Sequence, residues 1–196
     1  MTPVLLWFRR DLRLFDNPAL MAALTSAGDS GSVIPVYILD EAPEVRAMGA
    51  ASLWWLNRSL QALSADLRRL VENVDRDHGE RDDRLEARLS AAGLSVGRWN
   101  GSHLLRPDEV RTRTGGAFSV FTPFWRAARP GLSAPSRTDP PAQLPAPDRW
   151  PASEPLESWG LQPSAPDWSQ GFGDWAPGEA GARARLGAFL SGGLAG

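Results

Sequence analysis

VLLWFRRDLRLFDNPAL, residues 4–20, is the stretch that decides the predicted fold of this 196-residue chain. The apolar run Val4–Phe8 is typical of a parallel strand buried on both faces. Asn17 followed by Pro18 predicts a helix start, because asparagine caps helices and proline suits the first helical position. Charged residues fill the turn between them: Arg9, Arg10, Asp11 and Arg13. A strand, a charged turn and a capped helix form half of a β-α-β unit, and open α/β folds bind ligands at the carboxyl edge of such strands.

The composition narrows the class of protein and the kind of site. Apolar residues make up 42% of the chain, and no apolar run is long enough to span a membrane. The chain has no cysteine, which excludes disulfides and thiolate chemistry, and the cytoplasm is the expected location. A formal net charge of −2 argues against a chain that grips DNA by itself, because phosphate contacts need a basic surface.

Two further elements have clear local signals. Residues 33–39 predict a second buried strand, which ends at Asp40 and Glu41. A long helix is predicted from about Ala50, because leucines recur at spacings of 3 and 4 and draw one apolar stripe: Leu53, Leu56, Leu60, Leu63, Leu67 and Leu70. This pattern favours a helix laid on a sheet, with Trp54 and Trp55 widening its buried face.

The second half of the chain is predicted to be less regular. A helix over about 80–92 and a strand over 94–99 are expected to precede a long loop. Residues 130–177 hold 11 of the 17 prolines and read as a connector whose tryptophans pin it to a surface. Residues 177–179 then predict the start of a terminal helix, whose apolar face is expected to pack against another surface.

Four stretches, in order along the chain, resemble DNA photolyases and cryptochromes. They are WFRRDLRLFDNPAL (7–20), VIPVYILD (33–40), VFTPFWRA (120–127) and APGEAGARARLGAFL (176–190). The resemblance implies an α/β, Rossmann-like three-layer domain with a small parallel sheet of three to four strands, then the Pro-rich connector and the terminal helix. The implied domains are 1–129 (N-terminal α/β domain), 130–177 (interdomain connector) and 178–196 (start of a truncated helical FAD-binding domain).

One part of the expected fold has no matching sequence. The family would place a third strand, a helix and a fourth strand after the long helix, but only residues 71–74 could form a strand there. No Gly or Pro offers a reversing turn between Leu67 and Asp77. About one β-α unit is therefore expected to be absent, which leaves a smaller or gapped sheet.

The carboxyl edge of the strands is the candidate binding site. In the photolyase family this rim holds an antenna chromophore, which is a reduced folate, a deazaflavin or a flavin, and the resemblance places Asp77 and His78 where folate contacts would lie. The candidate cofactor-binding residues are Arg9, Arg10, Asp11, Asp40, Arg46, Asp77 and His78. A structural alternative is that Asp11, paired with an arginine, simply fixes the turn, and that Arg13 faces the second domain. No catalytic residue or metal site is predicted.

The resemblance implies the antenna domain of a photolyase. FAD, and damaged DNA as a partner, are expected only with the C-terminal helical domain, so these residues alone should not repair pyrimidine dimers. Two alternatives stay open: a fragment of a cryptochrome photoreceptor, and a stand-alone chromophore-binding or nucleotide-binding α/β module. Docking to a separate helical FAD domain is a further expectation.

Overall fold

A computed structural model of the chain describes residues 3–39, 47–70, 109–133 and 137–193, together with 93, 95–97, 99, 101 and 103–105. The strands are β1 (Val4–Phe8) and β2 (Val33–Tyr37), and the helices are α1 (Pro18–Ala27), α2 (Ala50–Leu70), α3 (Phe121–Ala128) and α4 (Glu179–Ala188). Short turns of 3₁₀ helix follow α3 at Arg129–Gly131 and occur at Leu156–Trp159 and Ser169–Phe172.

The two strands pair in parallel, with Val4 opposite Val33 and Phe8 opposite Tyr37. Alternate residues of a strand point to opposite faces, so Leu6 and Phe8 share one face, where both are buried. Leu20 of α1 and Leu63 of α2 belong to the same core cluster, so α1 and α2 cover the same face of the sheet. Leu5, on the other face, is 55% exposed.

The start of α1 is built as the sequence predicts. Asn17 is buried, its Oδ1 accepts the Leu20 backbone N–H at 3.0 Å, and its amide donates to the Arg13 carbonyl at 2.9 Å. Pro18 occupies the first helical position. The cap therefore sets the direction in which α1 leaves the β1 edge.

The leucine stripe of α2 is confirmed. Four of its leucines are buried, Leu56, Leu60, Leu63 and Leu67, and the two at its ends are partly buried. Trp54 is only 5% exposed and widens the buried face, whereas Trp55 is 40% exposed. The prediction for Trp55 was thus wrong, because a residue next to a buried one on a helix points about 100° away from it.

The Pro-rich connector packs into the domain instead of lying loosely beside it. Leu144 is 3% exposed within the core cluster of β1, α1 and α2. Its backbone N–H donates to the carbonyl of Leu70 at 3.1 Å, and the neighbouring Pro145 carbonyl accepts from Val33 N–H at 2.7 Å. Trp150 packs against that cluster, and Trp159 packs against a second cluster around Leu161. These tryptophans hold the connector on the domain, as their presence predicted.

The sheet differs from the predicted one. The described ranges contain two paired strands, where three to four were expected, and β2 ends at Tyr37, two residues early. Residues 95–97 and 99 are irregular, so the predicted strand over 94–99 was wrong at those positions. The candidate strand at 71–74 and the predicted helix over 80–92 lie outside the described residues. With α1 and α2 on one face of the sheet, the described residues supply one helical layer and the sheet, which are two of the three predicted layers.

Helices α3 and α4 present apolar side chains to solvent. Phe121 and Trp125 of α3 are 71% and 43% exposed and stack on each other at 6.2 Å. On and just after α4, three large apolar side chains are more than half exposed: Leu186, Phe189 and Leu190. Within the described part of the chain, no helix is long and apolar enough to cross a bilayer.

Candidate functional site

The turn that follows β1 carries the described part of the predicted site. Arg9 and Arg10 are exposed and Asp11 is partly buried. Asp11 Oδ1 accepts the backbone N–H of Arg9 at 3.3 Å, and the Asp11 carbonyl accepts the N–H of Arg13 at 2.6 Å. Asp11 therefore shapes the turn through hydrogen bonds from main-chain N–H groups, and its part in a cofactor site stays a prediction. The other four predicted site residues lie outside the described residues: Asp40, Arg46, Asp77 and His78.

Arg13 is bound to the turn itself. Its guanidinium donates to the carbonyls of Phe15 at 3.0 Å, Asp16 at 2.9 Å and Gly101 at 2.6 Å. A Cβ at Gly101 would stand 2.9 Å from Asp11 Oδ2, so the lack of a side chain lets this backbone approach the turn. Arg13 thus positions the loop, and Arg9 and Arg10 are the described cations at its surface.

An aromatic pair lies at the end of β2, and one of its rings feels the charge of Arg9. Tyr37 lies 6.2 Å from the Trp159 ring, and Arg9 lies 5.2 Å above the ring of Trp7. Burial raises the pKa of the Tyr37 phenol above its ordinary value, and the positive charge of Arg9 offsets part of that rise. Sequence reasoning missed Tyr37 and Trp159, because only the folded connector brings residue 159 to the carboxyl edge.

The rest of the β1–α1 loop is clamped by segments from far along the chain. Glu179, at the start of α4, accepts the backbone N–H groups of Leu14 at 2.8 Å and Phe15 at 3.2 Å. Asp16 and Thr138 exchange two hydrogen bonds, from Asp16 N–H to the Thr138 carbonyl at 2.9 Å and from Thr138 N–H to Asp16 Oδ1 at 2.5 Å. No local pattern points to these pairings, since the partners are more than 100 residues apart.

Arginine side chains complete this clamp. The guanidinium carbons of Arg137 and Arg183 lie 4.6 Å and 4.5 Å from the centre of the Phe15 ring. Guanidinium groups at that distance attract the aromatic ring. The charged turn after β1 is therefore held by both the connector and the terminal helix.

Two cavities adjoin this region. One, of about 480 Å³, lies among the β1–α1 loop, the end of α2 and the start of α4. Its arginines already pair with carboxylates, Arg69 with Asp66 at 2.9 Å and Arg183 with Glu179 at 3.9 Å. The other, of about 290 Å³, lies between the first turn of α2 and connector residues 160–168. Because α2 follows β2, this second cavity opens at the carboxyl edge, where α/β folds bind ligands.

Metal chemistry finds no support among the residues that the structure describes. No group of three or more His, Asp or Glu side chains there could hold an ion. His103 is exposed, and His78 lies outside the described ranges.

Known proteins have sequences similar to that of this chain. A family model described as DNA photolyase matches residues 4–72 and 70–147. The deoxyribodipyrimidine photo-lyase of Agrobacterium fabrum is 38% identical over 99% of this chain and 46% of that protein. Cryptochrome-2 of Arabidopsis thaliana is 32% identical over 62% of this chain and 24% of its own length.

A solved structure agrees with the sequence matches. The crystal structure of a bacterial class III photolyase from Agrobacterium tumefaciens superimposes with a TM-score of 0.83 and 38% identity, over 98% of this chain and 45% of that one. The chain thus spans about half the length of these photolyases.

The alignments also locate a gap after α2. The match to the Agrobacterium fabrum protein runs over 224 residues but uses 99% of a 196-residue chain, so about 30 of its positions have no counterpart here. The two segments of the family match meet at residues 70–72, where α2 ends. This agrees with the predicted absence of about one β-α unit. The family model matches residues 4–72 and 70–147, and 38% identity with a TM-score of 0.83 extends over nearly the whole chain; the chain therefore belongs to the DNA photolyase family.

Proposed function

We propose that this chain serves as the antenna-chromophore domain of a photolyase-family protein. The observation that carries the proposal is the carboxyl edge of the β1–β2 pair, where the exposed cations Arg9 and Arg10 follow β1 and the partly buried rings of Tyr37 and Trp159 lie at the end of β2. Photolyase-family proteins bind FAD and an antenna chromophore, which is a reduced folate, a deazaflavin or a flavin. When bound, the antenna absorbs light and passes the excitation to FAD.

The residues at this edge fit such a ligand. Planar chromophores stack on aromatic surfaces, and guanidinium groups pair with the carboxylate or phosphate of their tails. In the proposal Arg9 and Arg10 hold the anionic tail, while Asp11 keeps the turn in shape. Asp40, Arg46, Asp77 and His78 stay in the proposed site on the strength of their sequence positions.

The wider activity of the family belongs to the proposal as well. Photolyases act on DNA, and we infer that damaged DNA and FAD are bound by a helical domain supplied with, or docked to, this one. The proposal also includes a three-layer Rossmann-like domain and a cytoplasmic location. It divides the chain into three parts: 1–129, 130–177 and 178–196. A cryptochrome role is the second candidate, favoured by the 32% identity to Cryptochrome-2.

A binding experiment tests the chromophore site. Methenyltetrahydrofolate, a deazaflavin and FMN are titrated into the purified chain, and binding is followed by the absorbance and fluorescence of each ligand. Arg10→Gln should weaken binding about ten-fold through loss of one charge-assisted contact. The exposed Arg149→Gln on the connector is the matched control. Equal binding by both variants would contradict the proposal.

A light-dependent repair assay tests whether these residues need the helical domain to repair DNA. The 196 residues alone should not cleave pyrimidine dimers under blue light, because a net charge of −2 argues against tight binding of damaged DNA. Clear light-dependent turnover by this chain would overturn that part of the proposal.

A further inference from the structure

A largely buried carboxylate on α4 fixes the end of the charged turn after β1. The side chain of Glu179 is 16% exposed, and it accepts the backbone N–H groups of Leu14 at 2.8 Å and Phe15 at 3.2 Å. Hydrogen bonds to an ionised acceptor are shorter and stronger than those between neutral groups. Glu179 therefore holds the two residues through which the turn passes toward α1.

Hydrogen bonds carry this restraint from Phe15 back to Arg9. The Arg13 guanidinium donates to the Phe15 carbonyl at 3.0 Å, and the Arg13 N–H donates to the Asp11 carbonyl at 2.6 Å. The Asp11 carboxylate in turn accepts the N–H of Arg9 at 3.3 Å. Contiguous contacts of this kind carry energetic coupling between separate parts of a protein, so a displacement at Phe15 should change the position of Arg9.

The start of α4 is placed by its close approach to α2. Gly178 has a φ of +100°, and a Cβ at this position would stand 2.6 Å from the Cβ of Ala62, so a residue with a side chain would not fit here without a shift. One helical turn after Glu179, the Arg183 guanidinium carbon lies 4.5 Å from the centre of the Phe15 ring. The position of the Glu179 carboxylate is thus set by the packing of α4 as well as by the loop that it holds.

We propose that Glu179 is a positioning residue of the candidate site, which holds the turn after β1 in the shape that places Arg9 and Arg10 at the carboxyl edge. The site is then complete only when the start of the proposed 178–196 segment is packed on the first domain. Because such coupling is reciprocal, a ligand bound at this edge also stabilises the packing of α4. The inference rests on the proposed function for its ligand, whereas the position of Arg9 can be tested without one.

The phenol of Tyr37 reports the position of Arg9 in the absence of ligand. Burial raises the pKa of Tyr37, and the charge of Arg9 offsets part of that rise. In the folded Glu179→Ala variant Arg9 is no longer held, so the pKa of Tyr37 should rise further. Unfolding would instead return this pKa toward 10.0, so the direction of the change separates a displaced turn from a lost fold. An unchanged Tyr37 pKa in the folded variant overturns the inference.

Matched substitutions separate the carboxylate from the helix that carries it. Glu179→Gln keeps one acceptor oxygen and should raise the Tyr37 pKa less than Glu179→Ala does; it also decides the question if the alanine variant does not fold. Gly178→Ala keeps the carboxylate but moves the start of α4 away from α2, so it should raise the same pKa. Glu157→Ala, on an exposed turn, is the control and should leave the titration unchanged.

A double variant tests whether Glu179 acts through Arg9. Arg9→Gln alone should raise the Tyr37 pKa, because it removes the charge that favours the phenolate. Adding Glu179→Ala to Arg9→Gln should then produce no further shift, since the two substitutions affect the same interaction. Shifts that add fully would mean that Glu179 influences Tyr37 by another route, and the inference would be wrong.

Ligand titration then tests the functional half, and the two proposals fail in different ways. FMN, methenyltetrahydrofolate and a deazaflavin are titrated as before, and Glu179→Ala should weaken binding of the chromophore that the wild type takes up by about ten-fold. Equal binding by the folded variant overturns this inference and leaves the antenna function standing. If none of the three binds the wild type, the antenna function fails, and the Tyr37 titration still decides whether Glu179 positions Arg9.

Discussion

Glu179 Oε2 accepts the backbone N–H of Leu14 at 2.8 Å, which joins the first residue of α4 to the loop after β1 across 165 positions of sequence. The other carboxylate oxygen accepts from Phe15, so one side chain satisfies two loop N–H groups. The loop it holds continues from the charged turn that carries Arg9 and Arg10. The geometry of the candidate site therefore depends on a residue near the far end of the chain.

Removing this carboxylate should destabilise the fold. Glu179→Ala leaves the Leu14 and Phe15 N–H groups without their acceptor and should lower the free energy of unfolding by about 1–3 kcal/mol. Urea denaturation measures the change. Glu157→Ala, on the exposed Leu156–Trp159 turn, is the control and should change it by less than about 0.5 kcal/mol. Equal effects of the two variants would show that the hydrogen bonds of Glu179 do not stabilise the fold.

Asp16 combines a hydrogen bond with a backbone conformation that few side chains tolerate. Its φ is +48°, and its carboxylate accepts the N–H of Thr138. Asp16→Ala should therefore cost about 1–3 kcal/mol, from the lost bond and from alanine at positive φ. Asp16→Asn keeps an acceptor and tolerates this conformation, so it should cost much less. The prediction is wrong if thermal denaturation gives the two variants the same midpoint.

Tyr37 gives a pH readout of the site, because it is the only tyrosine of the chain. Burial raises its pKa above 10.0, and Arg9 opposes that rise. The phenol therefore holds its proton more tightly when folded, so its contribution to stability is full below about pH 10 and is lost as the pH rises through the folded pKa.

Phenolate absorbance in a pH titration measures this directly. Arg9→Gln should move the pKa of Tyr37 further up, because a positive charge that favours the phenolate is removed. The urea-unfolded chain should titrate near 10.0, the ordinary value. A downward shift in Arg9→Gln would contradict the placement of Arg9 beside Tyr37.

The connector should contribute to the core as a helix or strand does. Leu144→Ala should lower the free energy of unfolding by about 2–4 kcal/mol, because Leu144 is 3% exposed in the main cluster. Leu104→Ala, at a position 71% exposed, is the matched control and should have little effect. A small effect at Leu144 would mean that the connector rests on the domain without stabilising it.

The apolar side chains after α4 should bind a hydrophobic dye. Phe189→Ser and Leu190→Ser remove side chains that are 53% and 56% exposed, so they should reduce the fluorescence of bound anilinonaphthalene sulfonate without lowering the melting temperature. Leu104→Ser, an isolated exposed leucine, controls for general loss of apolar surface. Unchanged dye fluorescence in the α4 variants would place the dye-binding surface elsewhere.

Much of the fold could be predicted where the signal is local. The stripe of leucines in α2 and the Asn17–Pro18 start of α1 were confirmed, because each depends on residues three or four positions apart. The predicted strand over 94–99 was wrong at the positions described, since alternation in a short segment does not show whether a neighbouring strand is available for pairing.

The candidate site could be predicted only in part. The charged turn after β1 was found because the end of a buried strand marks the carboxyl edge of a sheet. Tyr37 and Trp159 were missed as site residues. The fold of the connector brings these two rings together, and no local pattern in the sequence predicts that contact.

The sequence by itself determined the family, the two strands, the capped first helix and the long amphipathic helix, because these follow from motifs and from short-range periodicity. Only the tertiary structure decided that Leu144 enters the core, that Glu179 holds Leu14, and that Trp54 Nε1 and Asn57 Oδ1 are buried without hydrogen-bond partners in the described part of the chain. Contacts of this kind join residues that are distant in the chain, and unpaired atoms depend on which hydrogen-bond partners the packing excludes. The spacing of neighbouring residues predicts neither the contacts nor the unpaired atoms.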